Sequence, residues 1–109
     1  MRRGDVVAIA DRAGEFTGKP RPAVVVQSDL FELLGSVAVC PLTSADIGPA
    51  VSRVRVESSA ELKLKHVFWI EVEKVTTVRR SRIGPVVGSL ASSDLRRLNG
   101  ALAVFLGLA

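Results

Sequence analysis

Lys19-Pro20-Arg21-Pro22-Ala23-Val24-Val25-Val26-Gln27-Ser28 is the stretch on which the fold of this chain turns. The run from Ala23 to Val26 is apolar and ends in consecutive β-branched valines, which suits a strand covered on both faces. Each proline ring fixes its own φ and pushes the residue before it toward extended geometry, so Arg21, set between two of them, has little backbone freedom. Two readings are open at this point. Arg21 is presented stiffly at the mouth of a strand as a binding or catalytic cation, or the prolines only keep an edge from pairing and the guanidinium is solvated.

The chain of 109 residues holds material for one domain, residues 1–109, and its 48% hydrophobic and 24% charged content can build a real core. Cys40 is the single cysteine, which excludes an internal disulfide and a cysteine-cluster zinc site and fits a reducing cytoplasm. The apolar run from Val6 to Ala10 is shorter than a signal-peptide core, and the closing run from Ala101 to Ala109 is far short of the ~20 residues that cross a bilayer. No export signal or membrane span is expected. A net charge of +4 favours polyanionic partners, and the positive residues gather late, at Arg79, Arg80, Arg82, Arg96 and Arg97. Such a run is equally a solvated face.

Outward from the valine strand, Asp5–Ala10 reads as a first strand and 11–22 as a long polar loop. Phe16 in that loop is placed either to stack on an unpaired base or to tuck back onto the fold. Ser28 is expected to cap a short helical turn that Gly35 ends in left-handed geometry. Ser36–Thr43 is a second apolar strand, in which Pro41 argues for an edge or a bulge that aims Thr43 and Ser44 off the sheet. Alternation over residues 52–57 gives a half-buried strand, and the parity change between Val72 and Val75 predicts a bulge or two successive strands in 66–78. Residues 86–90 form a last short strand. Ser92 or Ser93 then caps a helix whose apolar stripe is Leu95, Leu98, Leu102, Phe105 and Leu106, and Gly107 stops it.

Little catalytic equipment remains. There is no phosphate-cradling glycine loop and no metal cluster, and the lone His66 cannot pair with another histidine for acid–base work. RNA strand cleavage needs neither metal nor cofactor, because the substrate's own 2′-hydroxyl is the nucleophile. The protein must then align it and neutralise charge on the phosphorane, for which a fixed arginine beside a hydroxyl suffices.

Arg3-Gly4-Asp5-Val6-Val7, Lys19-Pro20-Arg21-Pro22 with its valine strand and Gln27-Ser28-Asp29, Pro41-Leu42-Thr43-Ser44, and Val75-Thr76-Thr77-Val78 through Arg82-Ile83-Gly84 stand in an order that resembles the MazF/PemK family of toxin endoribonucleases. The resemblance implies a mainly β fold, an SH3-like barrel of the CcdB/MazF/PemK kind with short helices and a C-terminal α-helix. It also implies a homodimer, metal-independent and sequence-selective cleavage of single-stranded RNA, no cofactor, and a cognate antitoxin whose acidic tail folds onto the basic groove. Carried over by position, the catalytic arginine falls on Arg21 and the catalytic threonine on Thr43, with RNA contacts at Phe16, Lys19, Ser44, Lys74, Thr77, Arg80 and Arg82. The chain departs from the family pattern at Lys74, Thr76 and Arg79, where a glutamine, an arginine and an aspartate are common, which leaves the cleavage sequence open. Two alternatives stand beside this reading: a CcdB-like toxin that binds DNA gyrase without catalysis, and a basic barrel that binds RNA without cutting it. A gyrase poison presents a tryptophan at its C-terminal end, whereas the only tryptophan here is Trp69.

Overall fold

The structure, a computed structural model, describes residues 1–10, 21–45 and 52–109. The strands are β1 (Asp5–Ile9), β2 (Arg21–Val25), β3 (Ser36–Thr43), β4 (Arg53–Val56), β5 (Phe68–Glu71), β6 (Thr76–Arg79) and β7 (Ile83–Ser89), followed by helix α1 (Ser92–Phe105). All pair antiparallel in the order β4-β5-β3-β2-β1-β7, with β6 beside the first half of β3. Only the 3-10 turn Arg80–Arg82 separates β6 from β7, the two edges of the path β6-β3-β2-β1-β7. So short a link forces the sheet to curl until those edges meet. The turn pins the seam: the Arg80 amide donates to the Gly35 carbonyl at 2.8 Å and the Ala10 amide to the Arg82 carbonyl at 2.9 Å. This is the mainly β, SH3-like barrel with a C-terminal helix that the sequence led us to expect.

The valine strand is covered on both faces. Val7, Ala23, Val25, Val37 and Val39 fill the inside of the curl, with Ile9, Val78 and Ile83 packed against them. The alternate residues, among them Val6, Val24, Cys40 and Leu42, face a larger core built with Val54, Val56, Ile70, Leu98 and Leu102 under β4, β5 and α1. Burying a valine or leucine side chain fully contributes roughly 1.5–3 kcal/mol, so these two layers hold the barrel closed and the helix against it. Gly88 is required where β7 passes residues 61 and 62, since a Cβ there would lie 2.7 Å from the Glu61 carbonyl oxygen and from Leu62 Cδ1.

Local expectations fared unevenly. The break in 66–78 is two strands joined by a 3-10 turn over Val72–Lys74. Ser28 caps its turn, its Oγ accepting from the Leu30 amide at 3.2 Å, but the turn is 3-10 and Gly35 is not left-handed. Pro41 marks neither an edge nor a bulge. Both backbone groups of Ala38 are used on the β2 side, so alternation turns the position of Pro41's missing N–H the other way. There β3 changes partner, from β6 at Val39 to β5 at Leu42, and no donor is wanted. The last strand begins at Ile83 rather than residue 86. Helix α1 has Ala91 at its N-cap without a side-chain cap, and Gly107 (φ +75°) follows its end as expected. Phe105 and Leu106 are exposed, because the core ends beneath Leu102.

Candidate active site

Arg21 is the first residue of β2 and Thr43 the last of β3. The β2–β3 ladder pairs Val25 with Val39, Val24 with Cys40 and Ala23 with Pro41. The β2–β3 pairing ends at Ala23–Pro41; Arg21 and Thr43 each lie two residues beyond it, at positions that the same register carried onward would set opposite one another, and the pleat puts both on the parity of the inner face of the curl, at its open end. Opposed positions in an antiparallel ladder hold their Cβ atoms about 4.5–5.5 Å apart. β2 is a central strand between β1 and β3, so the edge-blocking reading of Arg21 falls away, while Pro20 lies outside the described residues.

The two side chains are in different states. Arg21 is exposed, and among the described residues its side chain has no hydrogen-bond or ion-pair partner. Thr43 is half-buried, and its Oγ1 accepts from the Ala45 amide at 3.2 Å. That bond occupies one lone pair of the hydroxyl and leaves its own proton available to donate. An exposed guanidinium and a half-buried hydroxyl near the open end of the barrel are groups that can receive an anion. Ser44 follows at an exposed bend.

Other sequence candidates divide by face and by what already holds them. Thr77 pairs with Ala38, on the face turned toward α1 and away from Arg21 and Thr43, whereas Thr76 pairs with Val39 and shares their face. Lys74 Nζ sits 2.9 Å from Glu71 Oε2. Arg80 donates through Nε to the Leu34 carbonyl at 2.9 Å. Arg82 forks its Nε and Nη2 onto the Ala10 carbonyl at 3.1 and 2.8 Å, pinning the end of β1. These two arginines serve the seam of the barrel. Phe16 and Lys19 lie outside the described residues.

Beside Lys74 a charged network joins β4 to β5 and the turn after it. Arg53 Nη2 lies 3.2 Å from Glu71 Oε2 and 2.9 Å from Glu73 Oε2. Burial pushes the Glu73 carboxyl up, but its own backbone amide, the hydrogen bond and charge of Arg53 and the Ser52 hydroxyl outweigh it and hold the carboxyl below the usual range. Cys40 is fully buried; burial, opposed by Arg3 and aided by Glu73, pushes its thiol up to about 12. His66 is exposed. Among the described residues no three or more His, Cys, Asp or Glu side chains converge as a metal site would need.

Sequence reasoning missed Trp69. It is the direct partner of Thr43 on β5, half-buried, and on the same face as the candidate pair. The only signal was its alternation with Phe68 and Ile70, which both point into the core.

Comparison with known proteins bears on the family and the fold. Residues 2–106 match the family described as PemK-like, MazF-like toxin of type II toxin-antitoxin system. A probable endoribonuclease MazF of Mycolicibacterium smegmatis is 44% identical over 109 residues, covering 100% of this chain and 99% of that protein. Among solved structures, an endoribonuclease in complex with its cognate antitoxin from a mycobacterial species superposes with TM-score 0.79 at 19% identity, over 100% of this chain and 97% of that one. MazE–MazF from Deinococcus radiodurans gives TM-score 0.75 at 24% identity, over 100% of this chain and 97% of that one. At these identities the structural likeness bears on the fold.

Proposed function

This chain belongs to the PemK-like, MazF-like toxins of type II toxin-antitoxin systems, and from that premise we propose how it works as an endoribonuclease: Arg21 and Thr43 grip one phosphodiester of single-stranded RNA and promote attack by the adjacent 2′-hydroxyl. The observation that carries this is the shared register and face of the two residues at the barrel mouth. The 2′-oxygen bonds to phosphorus and the 5′-oxygen of the next nucleotide departs, taking up a proton, so the products carry a 2′,3′-cyclic phosphate and a 5′-hydroxyl. Charge builds on the non-bridging oxygens in between. The Arg21 guanidinium, a permanent cation with several donors, offsets it and orients protonation of the leaving oxygen, while the Thr43 proton holds a non-bridging oxygen. No metal or cofactor is assigned a role. Ser44 and Thr76 border the same face, and Phe16, Lys19 and Lys74 are proposed to add RNA contacts.

The partners are proposed on the same footing. Leu30, Phe31, Leu33 and Leu34 are exposed together, an apolar tip that a second copy of the chain would cover. A basic mouth also accepts the acidic tail of an antitoxin, in a complex that weakens with salt. No helix among the described residues is long and apolar enough to cross a membrane. A cytoplasmic location is proposed on a separate ground, the lone Cys40, which suits a reducing compartment. The gyrase-poison alternative loses its footing, since Trp69 lies within β5 beside Thr43 rather than at the C-terminal end.

The test is incubation of the purified protein with long RNA in the presence of a chelator, beside Arg21→Ala. Cleavage by the native protein alone, with cyclic phosphate ends, is expected; no cleavage, or equal cleavage by both, overturns the assignment.

A further inference from the structure

We propose that Trp69 and Arg55 continue the cleavage site across two more strands, forming a subsite that stacks an unpaired nucleobase of single-stranded RNA and holds a phosphate beside it. The inference rests on the ribonuclease reading above and adds residues that neither motif nor position had pointed to.

The register supplies the argument. Trp69 on β5 pairs with Thr43 on one side and with Arg55 of β4 on the other. Their chain neighbours Phe68, Ile70, Val54 and Val56 all turn into the core, so Trp69 and Arg55 must point to the face that Thr43 and Arg21 share. One row of side chains therefore crosses β2, β3, β5 and β4 in the order cation, hydroxyl, indole, cation. With neighbouring strands about 4.8 Å apart, the row is about 14 Å long. A strand of RNA offers phosphate and base in alternation, and the row alternates to match.

The state of the side chains agrees. Trp69 is half-buried and belongs to neither cluster of core residues, so its ring is not needed to complete the core. Arg55 has a side chain 55% exposed, and its ion pair to Glu57 Oε1 at 2.8 Å involves a carboxylate 65% exposed. Such surface pairs exchange readily for a stronger anion. Aromatic rings stack on any base, so this subsite contributes affinity with little sequence preference.

Trp69 is the only tryptophan, so its fluorescence reports the subsite without any need for cleavage. Titration with a short mixed-sequence 2′-O-methyl RNA, which lacks the nucleophile, is expected to quench the emission in parallel with the anisotropy of a labelled copy of that RNA. Trp69→Leu should weaken binding roughly ten- to hundredfold and Trp69→Phe far less, because a stacking surface is kept. Arg55→Gln should reduce the slope of log affinity against log salt by about 0.7, one phosphate contact on a single strand. Binding without quenching, or Trp69→Leu and Arg55→Gln proteins that bind like the native one, overturns the subsite and leaves the Arg21–Thr43 assignment standing. No binding by the native protein overturns both.

Discussion

Arg21 and Thr43 stand at equal distance past the last β2–β3 pair, Ala23 with Pro41, so the register carried onward sets a residue at the start of one strand across from a residue at the end of the next. On the ribonuclease reading proposed above, this placement would let a proline-flanked arginine and a threonine 22 positions later act on the same group. In that proposal the arginine contributes charge and the threonine a proton.

The threonine's share is separable by substitution. Thr43→Val keeps the shape but loses the donor, and single-turnover cleavage should fall roughly 10²- to 10³-fold, the usual cost of one donor to a developing oxyanion. Thr43→Ser keeps the hydroxyl and the bond from Ala45 and should retain most of the rate. A valine variant as fast as the native protein removes Thr43 from the mechanism.

Adjacent threonines on β6 should behave differently. Thr76 shares the face of Arg21 and Thr43, and Thr77 points toward α1 with Ala38. Thr76→Val is expected to alter which sites are cut in a long RNA mapped by primer extension, while Thr77→Val leaves the pattern alone. The reverse result would mean that RNA runs over the helix side.

Stability should respond to the Arg53 network. Its side chain is 10% exposed between two carboxylates, so Arg53→Met strands them and should cost about 3–5 kcal/mol in denaturant melts. The acid response has a definite sign. The folded Glu73 carboxyl titrates below its ordinary value of 4.5, so it stabilises the fold above that pH and the stabilisation disappears as pH falls through the lower, folded value. Glu73→Gln should therefore be less stable than the native protein near neutrality and lose less stability below pH 4.5. A parallel decline in both proteins contradicts this.

Cys40 gives a simple probe of the core. With the thiol at about 12 and no exposed surface, it should resist iodoacetamide at pH 8 in the folded protein and react at once in denaturant. Prompt alkylation under native conditions would show that the β2–β3 layer opens.

Much of the architecture is written locally. Continuous valines announced a strand covered on both faces, apolar Ser36–Thr43 marked β3 to the residue, and a parity change announced the break between β5 and β6, because burial imposes a period that the chain must carry in its own side chains. The resemblance in motif order led to Arg21 and Thr43. What the sequence left undetermined are relations between strands. Only the folded barrel decides that β3 exchanges β6 for β5 at Pro41, which sets Trp69 beside Thr43, that Thr76 and not Thr77 shares the face of Arg21 and Thr43, and that Arg80 and Arg82 tie the seam. The α1 stripe shows the same limit: helical spacing marked Phe105 and Leu106 as apolar partners of Leu102, yet the core beneath them had already ended. Periodicity reports which side of an element is apolar, whereas register and the extent of the opposing surface belong to residues tens of positions away, brought together only when the sheet closes.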